Sequence, residues 1–110
     1  PMDIKLHRLN GAEARSFAQE IAQLRLGVFW DFPYLYEGTL EYEKRYLETY
    51  FTAKHSFILL VEAEGIIVGA TTAILASEEE ENFRQPFIEN GFDPRRVFYF
   101  GESVLLPAYR

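Results

Sequence analysis

The sequence predicts an α+β domain in which helices pack on one mixed, mainly antiparallel sheet, with the element order β-α-α-β-β-(α)-β. The clearest signal is a hairpin: residues 56–63 and 66–76 are apolar strands joined by the two-residue turn Glu64-Gly65. Two stretches with apolar residues at helical spacing precede it, and a further strand, 97–105, follows. A chain of 110 residues can bury a modest core and is expected to form a single domain.

The first strand is predicted over residues 3–9, where Ile4 and Leu6 share one face at period two. Asn10 follows as a helix N-cap. Glu13 lies three residues further on, where its side chain can reach back to complete a capping box. A helix is therefore expected to begin directly after the first strand.

Two helices are predicted before the hairpin. In the first, apolar residues recur at i, i+4, i+7 and i+11: Phe17, Ile21, Leu24 and Val28. This helix should end before Pro33, because a proline pushes the residue before it out of the α region. Thr39 can cap the second helix, whose apolar side consists of Leu40, Leu47, Tyr50 and Phe51.

Glycines mark irregular positions in the later elements. Gly69 indicates a bulge or a close backbone approach, and Gly101 indicates a bulge or simple relief of crowding. The run Ser77-Glu-Glu-Glu-Glu81 can cap and start a third helix, and Asn90-Gly91 is a signal for its end. The buried edge expected for this helix consists of Phe83, Phe87 and Ile88.

Net charge, cysteine content and the length of the apolar runs exclude several classes of function. A formal net charge of −6 argues against nucleic acid or an anionic membrane as the main partner. The chain has no Cys, which excludes disulfides and a cysteine nucleophile, and His7 and His55 lack ligand-like spacing for a metal. The longest apolar run, residues 57–61, is too short to span a bilayer. A cytoplasmic location is the expectation.

The order of the elements, followed by Pro107-Ala-Tyr-Arg110, resembles the N-terminal part of the GNAT superfamily of N-acetyltransferases. Residues 64–71, EGIIVGAT, resemble the hairpin of that family. Residues 102–110, ESVLLPAYR, resemble its fourth strand and the lead-in to its pyrophosphate-binding loop, with Arg110 at the first position of the loop. The segment FPYLYEG, residues 32–38, resembles a stretch found in one bacterial branch.

The resemblance implies a transferase that moves an acetyl group from acetyl-CoA to an amine, by direct attack with a carboxylate as general base. It also implies that these residues are the front part of a longer domain, truncated before the helix of the cofactor loop. The activity of the 110-residue chain alone is therefore an open question. The acceptor would be a small molecule or a peptide that carries an amine.

The resemblance also assigns roles to residues of the fourth strand. Glu102 is the candidate base, although a strand glutamate can equally face solvent or pair with an arginine. Backbone N–H groups in the stretch Ser103, Val104, Leu105 and Leu106 would polarise the thioester carbonyl, and Arg110 would belong to the cofactor site. The proton donor for the thiolate lies outside these residues.

The acceptor site is expected on the loop between the first two helices. Tyr34, Tyr36 and Glu37 offer aromatic faces and an acid to a cationic amine. The same aromatic residues can instead be core side chains between two helices. The acidic run Glu78 to Glu81 can attract a polyamine or a basic peptide, or can be a solvated helix start.

A second function class stays open. A non-catalytic α+β module could bind a partner, or a second copy of itself, through the unpaired edge of its last strand.

Overall fold

The computed structural model describes residues 3–30 and 37–110. Within them, a four-stranded antiparallel sheet has the strand order β1-β2-β3-β4. The strands are β1 (Ile4–Asn10), β2 (Ser56–Ala63), β3 (Ile66–Leu75) and β4 (Phe98–Leu105). The helices are α1 (Gly11–Ala14), α2 (Ala18–Trp30), α3 (Leu40–Thr52) and α4 (Glu81–Glu89). The predicted α+β class and element order are confirmed.

The predicted capping box begins the helical region. Glu13 N–H donates to Asn10 Oδ1 at 2.8 Å, and Asn10 N–H donates to Glu13 Oε1 at 3.0 Å. The predicted single helix is, however, two helices, because a 3₁₀ turn over Arg15–Phe17 separates α1 from α2. The predicted cap of α3 is also present, since Tyr42 N–H donates to Thr39 Oγ1 at 3.1 Å.

The hairpin turn has the backbone that its sequence predicts. Glu64 and Gly65 have φ angles of 53° and 81°, and positive φ at both positions is the signature of a type I′ turn. Val68 is the extra residue of a bulge opposite β2, directly before Gly69. A Cβ at Gly69 would lie 2.9 Å from Leu105 Cδ1, so this glycine also permits a close approach of β3 to β4.

The core lies between one face of the sheet and the helices α1 to α3. On the sheet, this face carries Ile58 and Leu60 of β2 and Ile74 of β3. The helices contribute the predicted stripes, of which Ile21, Leu24, Val28, Leu47, Tyr50 and Phe51 are buried. The face that Ile4 and Leu6 share is the other one: both side chains are exposed, and Leu9 packs against the core instead.

The acidic run is organised differently from the prediction. Ser77 lies in a 3₁₀ turn, Ala76–Glu78, and α4 begins only at Glu81, after an N-cap at Glu80 that makes no side-chain bond. Phe83 is partly buried and stacks edge-on against Tyr99, with 4.5 Å between ring centroids. Phe87 is partly buried as well, whereas Ile88 is exposed, so the predicted buried edge was wrong at that residue.

The end of α4 is as predicted. Gly91 has a φ angle of 82°, and Phe92 N–H donates to Phe87 O at 2.8 Å, which closes the last turn. None of the helices in the described parts of the chain is long and apolar enough to cross a membrane.

Candidate active site

A β-bulge at Gly101 sets the direction of the Glu102 side chain. Thr72 of β3 lies opposite Glu102. The next residue of β3, Ala73, lies opposite Phe100, which leaves Gly101 as the extra residue of β4. Because neighbouring residues of β3 point to opposite faces, the bulge places Phe100 on the open face and Glu102 on the helical face. Phe100 is accordingly 69% exposed, while the Glu102 side chain is largely buried.

The bulge also brings the backbone of β4 against α3. A Cβ at Gly101 would collide with the hydroxyl of Tyr50 and lie 2.7 Å from Thr72 Oγ1. Only glycine fits between these two hydroxyl groups. The predicted bulge at Gly101 is therefore confirmed, and it relieves crowding as well.

Arg25 joins two carboxylates that belong to different elements. Its Nε donates to Glu43 Oε2 on α3, and its Nη1 contacts Glu102 Oε1 on β4. Arg25 is 8% exposed and Glu43 is 0% exposed. Two carboxylates share one guanidinium, so the formal charge of this buried cluster is −1. The second carboxylate oxygen of Glu43, Oε1, is buried without a hydrogen-bond partner among the described residues.

Aromatic rings hold the guanidinium in place. The Arg25 Cζ lies 4.3 Å from the centroid of the Tyr46 ring and 5.2 Å from that of Phe29. Guanidinium groups stack favourably on aromatic faces, and the planar fork suits carboxylate oxygens. The cluster thus fixes the Glu102 carboxylate between α2, α3 and β4.

Neither Arg25 nor Glu43 was predicted as part of the site, although the sequence carries a signal for both. Arg25 follows Ile21 at i+4, inside the apolar stripe of α2. Glu43 precedes Leu47 at i+4 and Tyr50 at i+7, inside the apolar stripe of α3. A cation and an acid on the buried faces of neighbouring helices indicate a buried pair.

The Tyr50 hydroxyl lies at the centre of this region. Burial, together with the neighbouring Tyr46, raises the pKa of Tyr50 well above its usual range, and the Glu79 carboxylate adds to the rise. The hydroxyl is therefore a neutral O–H group at any physiological pH. It is buried beside Thr72 Oγ1, and neither hydroxyl has a well-formed hydrogen bond within the described part of the chain.

The outer edge of β4 presents backbone groups that no described strand uses. Leu106 N–H donates to Val68 O of β3 at 2.9 Å. Because N–H groups alternate in direction along an antiparallel strand, those of Val104 and Leu106 face β3, while those of Ser103 and Leu105 face the open edge. Arg110 Nε donates to Leu105 O at 2.9 Å. Leu105 and Arg110, two predicted cofactor residues, therefore meet at this edge.

The other predicted site residues are distributed as follows. Tyr34 and Tyr36 lie outside the described residues, and Glu37 is exposed shortly before α3. The Ser103 hydroxyl lies 2.7 Å from Thr71 Oγ1, on the face of the sheet opposite the Glu102 side chain. Within residues 3–30 and 37–110, no group of His, Asp and Glu side chains could hold a metal ion.

A groove that the sequence analysis missed runs between α3 and the start of α4. Its volume is about 610 Å³. It is lined by Tyr42, Arg45, Tyr46, Thr49, Tyr50, Glu79, Glu80, Asn82 and Phe83. The first five belong to α3 at helical spacing, and the others come from the segment that follows β3. Finding this groove requires the relative position of two elements that are far apart in sequence.

Comparisons with known proteins bear on this arrangement. No protein-family model matches the chain, and no curated protein matches it significantly. The solved structure of the aminoglycoside N-acetyltransferase AAC(6')-Iy in complex with CoA matches with a TM-score of 0.63 and 16% identity, over 100% of this chain and 60% of that chain. The same enzyme in complex with the bisubstrate analogue CoA-S-monomethyl-acetylneamine matches with a TM-score of 0.60 and 17% identity, over 98% of this chain and 60% of that chain.

This chain therefore spans 60% of the length of the enzyme that it matches. At this level of identity the likeness concerns the fold. The protein has a GNAT-like α+β fold, similar to that of CoA-bound acetyltransferases.

Proposed function

We propose that this protein belongs to an N-acetyltransferase that moves an acetyl group from acetyl-CoA to the amine of a small molecule, with Glu102 as general base. The observation that carries the proposal is the position of Glu102. It follows a bulge in β4 that turns its side chain to the helical face of the sheet, in a fold shared with CoA-bound acetyltransferases. Its pairing with Arg25 is also what a purely structural glutamate would show, and the Glu102→Gln variant separates the two roles. The neighbour bound to an acetylneamine analogue supports a small-molecule amine as the acceptor class.

The proposed reaction requires few protein groups. Acetyl-CoA supplies the thioester carbonyl that the amine attacks. As the new C–N bond forms and the C–S bond breaks, CoA leaves as its thiolate and the amine loses one proton. Glu102 accepts this proton directly or through one water. The contact with Arg25 keeps the carboxylate aimed at one place, which favours proton transfer from an amine bound there.

The open edge of β4 fits the cofactor. The Leu105 N–H is directed away from β3, so it is available as a donor to a carbonyl oxygen of the ligand. The Leu106 N–H is already donated to Val68, which makes Leu105 the better candidate of the two. Arg110 lies beside this edge, where its guanidinium can also meet a phosphate. Ser103 offers the next outward-facing N–H, and Val104 packs its side chain into the core.

Titration calorimetry with acetyl-CoA tests the proposal on the 110-residue chain. We expect saturable binding, with CoA as competitor. A matched control is Arg95→Ala, which removes an equal charge from the exposed Arg95–Asp93 pair before the start of β4, whereas Arg110→Ala should weaken binding. No saturable binding of acetyl-CoA would contradict the proposal.

The Glu102→Gln variant tests the role of the base. We expect the rate of acetyl transfer to a panel of amines, neamine included, to fall about 10²- to 10⁴-fold while acetyl-CoA affinity stays unchanged. Release of the CoA thiol reports the rate, and Glu89→Gln controls for the lost charge. Equal measurable rates in the wild type and the Glu102→Gln variant would contradict the assignment.

One observation favours a second candidate, a binding module without catalysis. Phe98 and Phe100 are both exposed on β4, with 6.4 Å between their ring centroids, beside the open strand edge. Edge strands with apolar side chains pair readily with other chains. Sedimentation velocity separates the candidates: a dimer that Phe100→Ser disrupts, in a protein that does not bind acetyl-CoA, would favour the module.

A further inference from the structure

We propose that Glu43 is a positioning residue for the base: acting through Arg25, it balances the charge of the guanidinium and so keeps Glu102 able to accept a proton. This inference rests on the proposed function, since it concerns the charge of the same site. It is carried by the contacts of Arg25, the burial of the two acids and the net charge of the cluster.

A directly paired arginine holds a carboxylate in place but opposes its use as a base. Arg25 Nη1 contacts Glu102 Oε1, and a cation in contact with a carboxylate favours the ionised form over the protonated one. If Arg25 and Glu102 were alone, uptake of a proton would convert a neutral ion pair into a buried net cation, which is costly. Fixed position and basicity therefore conflict at Glu102.

Glu43 removes this conflict because it pairs with a second nitrogen of the same guanidinium. Its Oε2 accepts a hydrogen bond from Arg25 Nε, and an arginine keeps its charge at every physiological pH. With Glu43 ionised, the cluster has a formal charge of −1 while Glu102 is ionised and becomes neutral when Glu102 is protonated. Because burial disfavours net charge, the cluster favours the uptake of one proton.

The two acids differ in their access to solvent, which decides which of them exchanges the proton. The Glu43 side chain is 0% exposed, whereas that of Glu102 is 16% exposed. A proton from an amine or a water molecule can therefore reach Glu102, while Glu43 is sealed in the interior. Glu43 supplies a fixed charge, and Glu102 is the group that changes its charge.

The other groups around the cluster do not alter this charge balance. Tyr46 of α3 contributes its ring face to Arg25. Burial, together with the neighbouring Tyr46, raises the pKa of Tyr50 well above its usual range, so the Tyr50 hydroxyl stays neutral. Apart from Arg25, no Lys, Arg or His nitrogen in residues 3–30 and 37–110 lies within 4 Å of the Glu43 or Glu102 carboxylate.

NMR titration of the glutamate carboxyl carbons tests the inference on the 110-residue chain without any ligand. The Glu102→Gln and Glu43→Gln variants each lack one resonance and so assign the two carbons. We expect the midpoint at which Glu102 takes up its proton to lie lower in Glu43→Gln than in the wild type, by about one pH unit or more. The reason is that Arg25 then acts on Glu102 with its charge unbalanced.

Two substitutions of Glu43 separate charge from shape. Glu43→Gln keeps the shape of the side chain and removes its charge, whereas Glu43→Asp keeps the charge and shortens the side chain. The midpoint of Glu102 should stay closer to the wild-type value in Glu43→Asp than in Glu43→Gln. A role in packing alone predicts the reverse order, and that order would overturn the inference.

Removal of both charges gives an effect of opposite sign. In the variant Arg25→Gln with Glu43→Gln, the midpoint of Glu102 should return at least to the wild-type value, because the contacting cation is lost together with the acid. Glu48→Gln is the control: it removes the same charge from the exposed Arg15–Glu48 pair of α3 and should leave the midpoint unchanged. Dispersed amide spectra verify folding, and the single variants of Glu43 decide the question if the double variant does not fold.

Equal midpoints of Glu102 in the wild type and Glu43→Gln would overturn the inference. A wild type in which the Glu43 carbon takes up a proton at higher pH than the Glu102 carbon would also overturn it, because Glu43 would then not be the fixed charge.

Failure of the charge balance is distinguishable from failure of the transferase. If Glu43→Gln lowers the midpoint of Glu102 and the chain transfers no acetyl group, the charge balance stands and the transferase does not. If acetyl transfer depends on Glu102 but the midpoint is unchanged in Glu43→Gln, the transferase stands and the inference does not. If both stand, the rate in Glu43→Gln should begin to fall at a lower pH on acidification, and its maximum should be lower because the base is weaker.

Discussion

Arg25 shows how one side chain can connect the stability of this fold to its proposed chemistry. It is a buried cation whose partners come from two other elements, Glu43 on α3 and Glu102 on β4. Burying three charged groups has a large desolvation cost, which only good geometry offsets. The cluster holds the carboxylate that we propose as the general base. We infer that the cluster positions Glu102 more than it stabilises the protein.

Replacement of Arg25 by Met should be strongly destabilising. It leaves the carboxylates of Glu43 and Glu102 buried without a cation, which typically costs about 3–5 kcal/mol. Chemical denaturation measures the loss. Arg15→Met is the control, because the Arg15–Glu48 pair is exposed and worth about 0–1 kcal/mol.

Adding Glu43→Leu to the Arg25→Met variant should recover part of the lost stability, because one of the uncompensated charges is then removed. A variant Arg25→Met that is as stable as Arg15→Met would contradict the role assigned to the cluster.

Gly101→Ala should destabilise the protein by about 1–3 kcal/mol, the usual cost of an extra methyl group in a packed region. The new Cβ collides with the Tyr50 hydroxyl, so Tyr50→Phe should relieve part of the loss in a double-mutant cycle. Gly27→Ala is the control. Gly27 lies inside α2, and among the described residues a Cβ there would meet nothing closer than 4.0 Å, so we expect this variant to be more stable by about 1 kcal/mol.

At the scale of single elements, sequence rules predict the helix caps and turns that depend only on residues close together in the sequence. The capping box at Asn10, the cap at Thr39 and the turn at Glu64-Gly65 were all predicted from a few residues. The start of α4 was not, because Ser77 lies in a 3₁₀ turn. The sharing of Arg25 by two acids was missed as well, since patterns treat charged side chains as exposed by default.

Hydrogen exchange of the backbone amides tests which N–H groups of β4 face its open edge. Hydrogen exchange should be slow at Val104 and Leu106, whose N–H groups face β3, and fast at Ser103 and Leu105, whose N–H groups face outward. Acetyl-CoA should slow exchange at Leu105. Two-dimensional NMR resolves these amides one by one.

The matched reference is the Leu106 amide, which should be unaffected by the ligand. Slow exchange at Leu105 without acetyl-CoA, and only at high protein concentration, would instead indicate that two copies pair through this edge.

On the scale of the whole molecule, the sheet has two unlike faces. One carries the core against α1 to α3, and the other leaves Leu6 and Phe100 exposed in the described residues. The element order and the antiparallel pairing could be predicted because hairpin turns and helix caps have recognisable short sequence patterns. The groove and the cluster could not, since each depends on where α3 lies relative to β4 and α4, which no short stretch of sequence determines.

Alkaline unfolding should report the buried Tyr50. In the unfolded chain this tyrosine loses its proton above a pKa of 10.0, whereas the folded protein keeps it protonated. The unfolded state then binds fewer protons, so stability falls as pH rises above that value, by about 1.4 kcal/mol per pH unit from this group. Denaturant titrations between pH 9 and pH 11 (about two units around the unfolded pKa) measure the slope.

Tyr50→Phe should reduce the slope by the equivalent of one proton, because it removes the group that ionises only in the unfolded chain. Tyr42→Phe is the control, because Tyr42 is exposed. Equal slopes in the two variants would contradict the burial of an un-ionised Tyr50 hydroxyl.

The bulge in β4 acts on side-chain alternation as an inserted nucleotide acts on a reading frame. Residues before Gly101 alternate in one phase and residues after it in the other, so the two halves of a single strand obey different inside–outside rules. Deleting Gly101 would restore one phase and force either Glu102 outward or Phe100 inward. One extra residue without a side chain thus lets an acid occupy the interior while the hydrogen-bonded ladder continues on both sides.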